Sequence, residues 1–381
     1  MNLFKFLVAL EKGKKDYLDI PAEEQKRYLD SLGEPRDDYD RSYFQCKCYY
    51  MTFPWYSKSL YWVVSFISLP FFVLYAWIKG FGVRPKYHVD AVCEEKHMPE
   101  IIPTSLRDEY DISYKEWQTG FSLHTSDLPF VFSIIRHKPF AALCNFKTIV
   151  KVAKYSTIIK RYSPRAIIVH AEYSYTSSLL TLFCERNEVR HIDVMHGEKI
   201  YQIRDTFFRF DKCYVWDDYY KELLISLKAE PTQFVVAVPP SLSIDIAAHH
   251  SLKDFADYKY YLAIFDEKKL AKIIQCVEVL KRSGKSVKFR PHPRYSDQVL
   301  LVKYVSPDEI EKPEDVNILT SISSTSCAIS EFSTVLTQAY FSGKNIMLDD
   351  VSDSMIYDKL AEHQYIFATQ KVDRLSTLIS K

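Results

Sequence analysis

Two short stretches hold the residues best suited to chemistry: Phe289-Arg290-Pro291-His292-Pro293-Arg294 and Ile329-Ser330-Glu331-Phe332-Ser333-Thr334. The first predicts a β-strand that ends by presenting an imidazole between two prolines. The second predicts a strand end at Ser330 that turns into a helix with Ser333 and Thr334 at its start. A helix N-terminus offers unpaired backbone N–H groups and the positive end of a dipole, and hydroxyls there add further donors, so an anion such as phosphate is held without a full positive charge. A histidine fixed beside that anion can donate a hydrogen bond or a proton to it as a bond breaks. His292 is therefore a candidate catalytic group, and Arg290, Pro293, Arg294, Ser330, Ser333 and Thr334 are candidate ligand-binding residues, the two arginines for charge-assisted contacts.

The first half of the chain has two comparable strand ends. His170-Ala171-Glu172-Tyr173 follows the apolar run 165–170, and His196-Gly197-Glu198-Lys199 follows the run 189–195. In open parallel sheets ligands bind outside the carboxyl ends of strands. Glu172 or His196 could accept a proton there; the sequence does not rank them firmly, His196 being favoured slightly because Gly197 would let a ligand come close to the backbone. Lys199 and Arg204 are candidates for charged contacts. His249-His250 reads as a solvated pair.

These strand ends need a scaffold, and the patterning gives an α/β one. The continuous apolar run at 165–170 predicts a strand buried on both faces, and 189–195, 212–216 and 234–238 read as further strands, with helices expected at 146–162, 177–187 and 217–227, the last capped by Asp217 or Asp218. After Pro239-Pro240 and a polar linker to 257, strands are expected at 260–265, 286–290, 328–330 and 345–348. Helices are expected at 267–283, stopped by Gly284, and at 333–341. Residues 1–80 read as a helical region, 81–240 as a first doubly wound domain and 241–381 as a second. Two such domains joined by a proline linker imply a cleft between them.

The composition removes several classes. With 50 basic and 49 acidic side chains the net charge is +1, so no global field recruits nucleic acid. Glycine is scarce, at 8 residues beside 28 Tyr and 24 Phe, and neither GxGxxG nor GxxxxGK[ST] occurs, which disfavours dinucleotide redox and P-loop chemistry. The eight cysteines are scattered, with Cys46-Lys47-Cys48 the closest pair, and read as reduced thiols with neither a disulfide framework nor a zinc site. Asp349-Asp350 and Asp217-Asp218 read as helix-start or surface carboxylates. No metal or other bound cofactor is expected.

The stretch 60–78 carries no charge and lies between Lys58 and Lys79, with Pro70 near its middle. It fits a transmembrane helix, a bent helical pair dipping into one leaflet, or a buried helix of a large domain. Residues 1–10 lack a small-residue cleavage site, so a cytoplasmic chain, peripheral on the inner face of the cytoplasmic membrane, is expected.

The constellation resembles the GT-B superfamily of bacterial surface-polysaccharide transferases, over 165–350. His292-Pro293 and Ser333-Thr334 are similar to the HP and Ser-Ser/Thr motifs with which bacterial sialyltransferases and other users of CMP-activated sugars hold the donor phosphate. His196-Gly197, Arg290-Pro291-His292-Pro293 and Ser330 to Thr334 resemble, in order, the HG, R-x-HP and T-D-Y-S-S motifs of the CDP-glycerol glycerophosphotransferases. The residues after Gly197 depart from that second pattern, and the sialyltransferases' acidic (D/E)(D/E)G motif is absent, Glu172 being the nearest substitute. The resemblance implies two Rossmann-like domains and metal-independent, inverting transfer of a sugar from a cytidine nucleotide, CMP-sialic acid or CMP-Kdo, to a capsule or lipopolysaccharide glycan or a lipid-linked glycan. It implies a CDP-polyol phosphotransferase or a non-catalytic polysaccharide-assembly partner as alternatives.

Overall fold

The computed structural model describes residues 13–93, 98–114, 120–246, 255–263 and 266–378. The segment 1–10, His249-His250 and the last two residues of the strand expected at 260–265 lie outside the described residues. The chain divides into two compact units, Met1–Ala237 and Val238–Lys381.

The first unit contains a parallel sheet in the order β2-β1-β3-β4-β5-β6. Its strands are β1 Ala91–Cys93, β2 Ile112–Tyr114, β3 Ala166–Val169, β4 Arg190–Val194, β5 Lys212–Val215 and β6 Phe234–Val236. A parallel sheet covered on both faces buries both sides of its central strands: all four residues of β3 are buried, and β4 buries His191 and Asp193 beside its apolar residues. Helices α1 Ala22–Ser31, α2 Asp38–Met51, α3 Trp55–Gly80, α4 Leu128–His137, α5 Ala142–Tyr162, α6 Ser177–Glu185 and α7 Asp218–Ser226 accompany the sheet. Asp217 caps α7 by accepting from the Tyr219 amide at 2.7 Å.

The helices before Gly80 pack into this unit. Arg209 of the sheet-side chain bridges Asp38 of α2 and Glu185 of α6, at 2.8 and 2.7 Å. Cys46 of α2 and Cys144 of α5 form a disulfide, with Cα atoms 6.1 Å apart. That corrects the expectation of reduced thiols at these two positions. Facing helices bring together residues 98 apart in sequence, a pairing that local spacing cannot reveal. Cys48, Cys93, Cys184, Cys213, Cys276 and Cys327 are free and buried, as small hydrophobic residues.

The stretch 60–78 lies within a single helix, α3, of 26 residues, so the bent pair is not formed. Pro70 sits inside it and cannot donate a backbone hydrogen bond one turn back. Nor is α3 a core helix: only 17% of its most apolar window is buried, and among the described residues it alone is long and apolar enough to cross a bilayer.

The second unit is a parallel sheet in the order β11-β10-β9-β7-β8. Its strands are β7 Ala256–Leu262, β8 Val287–Pro291, β9 Thr325–Ser330, β10 Asn345–Leu348 and β11 Asp373–Arg374. The chain runs from β7 to β8 on one side, then returns to place β9 on the other. Strand order thus reverses at β7, which is where open α/β sheets leave a crevice for ligands. Helix α8, Glu267–Arg282, buries Leu270, Ile273 and Val277 against Tyr260, Phe289 and Ile329. Gly284 follows it at φ +80°, a left-handed conformation that closes a helix readily only without a Cβ. Helix α9, Thr334–Phe341, leaves the end of β9.

Candidate functional site

The carboxyl ends of β7, β8 and β9 surround a pocket of 830 Å³ within the second unit. Arg290, His292, Pro293, Ser330, Ser333 and Thr334 all line it. The two motifs separated in sequence are therefore neighbours across the strand reversal at β7. His292 follows the last residue of β8, and its amide donates to the Leu262 carbonyl at 2.7 Å, tying the turn to the end of β7. Its ring nitrogen Nδ1 accepts the amides of Arg294 and Tyr295 at 3.0 and 3.2 Å. A nitrogen that accepts two N–H groups cannot carry a proton, so in the neutral ring the proton sits on Nε2, which is a donor. The Tyr295 ring lies 4.6 Å from the imidazole.

Ser333 caps α9, its hydroxyl accepting from the Val335 amide at 3.2 Å, and Thr334 is exposed at the first helical position. Ser330 is buried, and its hydroxyl donates to the Tyr261 carbonyl at 2.8 Å. It shapes the strand end with its hydroxyl proton already committed. Arg290 also departs from expectation. Its guanidinium is buried and donates to Glu311 at 2.7 Å, while Glu311 also pairs with Lys259 and accepts from Ser321. Burial opposes the Glu311 carboxylate, but Lys259, Ser321 and Arg290 together hold its pKa below the usual value. Arg290 is thus a neutralised wall of the pocket. Arg294 is exposed and absent from the lining, contributing its amide to His292 instead.

Besides Arg290, Lys269, Glu314 and Glu331 are the charged residues that line the pocket. Lys269, in the first turn of α8, pairs with Asp353 and lies 3.9 Å from Glu331. Burial works against its charge, but Asp353, Glu331 and Asp266 keep its pKa raised. Burial likewise pushes the Glu331 carboxyl up. Lys269 was overlooked in the sequence because it looks like an ordinary surface lysine, lying beyond the end of β7 in the first turn of the helix that follows. Asp349 is buried rather than at the surface, accepting from Tyr260 and from the amides of Val351 and Ser352 at 2.9 Å.

In the first unit β3 and β4 are hydrogen-bonded neighbours, so the two expected strand ends meet. The rings of His170 and His196 lie 4.5 Å apart, and His196 Nδ1 faces Glu172 Oε1 at 3.4 Å. Glu172 is fully buried and ion-paired with Lys199, which lies 3.8 Å from Asp205, which in turn pairs with Arg204 at 3.2 Å. Burial would raise the Glu172 pKa, but Lys199 and His196 overcome it and hold the carboxyl well below its usual range. Buried Asp193 is pushed the other way, by its own burial and by the charge of Glu172.

This geometry separates the two candidates for a base. Glu172 is out of contact with solvent, and Lys199 and His196 favour its charged form. His196 is partly exposed, with its side chain 38% accessible. Because Nδ1 is turned to Glu172, Nε2 is the nitrogen available to a ligand. Lys199, 5% exposed, is likewise occupied within the network and unavailable as a ligand contact.

The N-terminal helices hold this cluster in place. Gln45 of α2 is buried and donates to the carbonyls of Glu172 and Arg204, at 2.8 and 3.1 Å. Gln25 of α1 donates to the carbonyls of Tyr17 and Ile20 and accepts from the Ile203 amide at 3.1 Å. Sequence reasoning left these two residues out, since a glutamine in a charged helical pattern reads as solvent-facing.

No family model matches the chain, and no curated protein matches it. Solved structures do. It is similar to a UDP-GlcNAc 2-epimerase from Methanocaldococcus jannaschii, at 13% identity and a TM-score of 0.42, over 76% of this chain and 94% of that one. It is also similar to a UDP-GlcNAc 2-epimerase from Neisseria meningitidis bound to UDP-GlcNAc, at 11% identity and 0.38, over 68% and 82%. A third is the wall teichoic acid polymerase TagF as an H444N variant with CDPG, at 12% and 0.34, over 54% and 57%.

Proposed function

We propose that the chain is a nucleotide-dependent transferase of the GT-B type, with the donor held by the second unit and the acceptor-side base supplied by the first. The favoured donor is a cytidine-nucleotide sugar, CMP-sialic acid or CMP-Kdo, and the acceptor a growing capsule or lipopolysaccharide glycan or a lipid-linked glycan. The observation that carries this reading is the second-unit pocket, where His292 and the N-terminus of α9 line one cavity of 830 Å³.

In the proposed step an acceptor hydroxyl gives its proton to His196 Nε2, and its oxygen forms the new bond to the sugar carbon. The bond from that carbon to the donor's phosphate oxygen breaks, and the electron pair leaves on the phosphate. Nε2–H of His292, the hydroxyl of Thr334 and the first amides of α9 meet that charge, with Lys269 adding a cation nearby. Glu331 offers an acceptor for a sugar hydroxyl. Neutral donors and protein cations meet the leaving group in this scheme, so transfer is metal-independent.

A CDP-polyol phosphotransferase is the second reading, favoured by the order of His196-Gly197, Arg290-Pro291-His292-Pro293 and Ser333-Thr334. The melting temperature measured with CMP, CMP-sialic acid, CMP-Kdo, CDP-glycerol and UDP-sugars distinguishes the readings through ligand linkage. A rise with CMP and its sugars supports the first, and a rise confined to CDP-glycerol the second. No rise with any nucleotide refutes both and leaves a non-catalytic assembly partner.

A further inference from the structure

Helix α3 has one face fixed and the other bare. Ser65, Leu69, Ala76 and Gly80 lie along its buried side, where the Leu123 amide donates to the Ala76 carbonyl at 2.8 Å. A Cβ on Gly80 would stand 2.1 Å from the Leu123 carbonyl oxygen, so the helix and the folded unit touch backbone to backbone. The opposite face carries Val63, Ile67, Phe71, Leu74 and Ile78, with Phe71 70% and Ile78 58% exposed. An apolar groove of 360 Å³ extends this face onto α4, lined by Val73, Leu74, Trp77, Leu128, Phe132 and Ile135 among others. Beyond it Phe140 is 83% exposed, and its carbonyl accepts from Trp62 Nε1 at 2.8 Å.

The segments that supply this surface are basic in sequence, although Arg41, Lys138 and Arg165 among them are paired with Glu230, Asp40 and Asp90. Residues 41–89 contain six Lys and Arg and no Asp or Glu, and residues 128–171 contain eight Lys and Arg and again no Asp or Glu. These two segments supply α3, α4 and α5, in a chain whose net charge is only +1. Lys58, Lys79, Arg84 and Lys86 flank or follow the apolar face of α3. Apolar side chains bordered by amphipathic aromatics and lysines fit the boundary between acyl chains and anionic headgroups.

We propose that this face is a docking surface for an anionic phospholipid bilayer, with α3 lying in the plane of the membrane. Its 26 residues, roughly 39 Å long at 1.5 Å per residue, could span, but the fold forbids it. Helix α2 before it is joined to α5 by Cys46–Cys144, and β1 after it lies in the first unit's sheet. Both ends of α3 are thus anchored in one packed unit and stay on one side of any membrane. The docked protein would work at the surface where a lipid-linked acceptor resides, on the side where nucleotides are present.

The test uses the full chain with vesicles of phosphatidylcholine alone or mixed with phosphatidylglycerol. The protein is expected to co-sediment with the anionic vesicles, and Ile67→Glu/Phe71→Glu/Ile78→Glu to bind about tenfold or more weakly with its melting temperature unchanged. Spin labels placed singly at 63, 71 and 78 on an otherwise unaltered chain should report one shallow depth, and labels at 59 and 82 should stay open to the same aqueous side. Depth that changes steadily from 63 to 78 would overturn the in-plane arrangement. Failure of the unaltered protein to bind anionic vesicles, or undiminished binding by the triple variant, would overturn the surface itself. A lipid-free dimer that the triple variant breaks, with no vesicle binding by the parent, would assign the face to a second copy instead.

Discussion

Replacing His292 by asparagine separates two things the imidazole does. Its Nδ1 accepts the amides of Arg294 and Tyr295 at 3.0 and 3.2 Å, which holds the turn after β8, and its Nε2–H is left for the ligand. Asparagine offers a carbonyl oxygen near the position of Nδ1 and no donor where Nε2–H stood. Each of the two amide bonds contributes about 0.5–1.5 kcal/mol net, and both lie near solvent, so His292→Ala should cost roughly 1–2 kcal/mol. His292→Asn should cost almost nothing. Both should lose the leaving-group donor, an interaction whose removal lowers turnover by about 10²–10³. Urea midpoints give the stability arm, and initial rates with whichever donor raises the melting temperature give the other. The reasoning fails if His292→Asn keeps turnover within about threefold of the parent, since a positioned donor is worth far more than that. It fails equally if His292→Asn is as unstable as His292→Ala, because then Nδ1 is not what holds the turn.

Replacing Ser333 and Thr334 together by Ala should weaken the affinity for free CMP several-fold and leave acceptor affinity unchanged; an unaltered CMP dissociation constant by calorimetry would remove α9 from the phosphate site. His196→Ala should lower turnover by about a hundredfold at nearly constant stability. Glu172→Gln strands Lys199 in the interior and should destabilise by roughly 3–5 kcal/mol in urea unfolding. If Glu172→Gln instead costs turnover alone while His196→Ala mainly raises the Michaelis constant, Glu172 is the base after all. Glu311 has its folded pKa depressed below the ordinary 4.5, so its contribution is complete above that value and is lost as pH falls through the lower, folded one. Stability should therefore fall on acidification more steeply in the parent than in Glu311→Gln, and parallel curves from neutral pH to about pH 3 would contradict the assignment.

The strands that carry the site were legible because parallel strands buried on both faces leave a simple trace, unbroken apolar runs such as Ala166–Val169 and Ile346–Leu348. Strands β1 and β2 were missed, each only three residues long and lying in a stretch of mixed pattern, whereas β6, equally short, fell within the expected strand 234–238. Strand ends also told where the chemistry would gather, since His292, Ser333 and Thr334 do share a pocket and His196 does meet Glu172. What each side chain was free to do was not legible. Arg290 and Arg294 look alike in sequence, yet one is bound to Glu311 and the other faces solvent. Glu172 and His196 looked interchangeable until burial placed Lys199 against the carboxylate. The partners that decide these questions, Glu311, Lys199 and Gln45, come from elsewhere in the chain and carry no local signature.

The two clusters are kept in place by different means, and this bears on how each would tolerate change. His292 and α9 are positioned by backbone: amides on Nδ1, a carbonyl under Ser330, an N-cap at Ser333. Such bonds survive most side-chain substitutions around the pocket, so its lining can vary while the phosphate-binding geometry stays. His196 stands instead beside the buried charges Glu172, Lys199 and Asp205, and the loops carrying them are held by Gln45 and Gln25. A buried ion pair contributes little net stability while intact and costs several kcal/mol when one partner is lost, so that network has few neutral neighbours in sequence. The helices that deliver the two glutamines lead directly into α3 and its bare apolar face. The amino-terminal region therefore couples placement of the His196 cluster to the surface on which the protein docks, and truncating it would remove both at once.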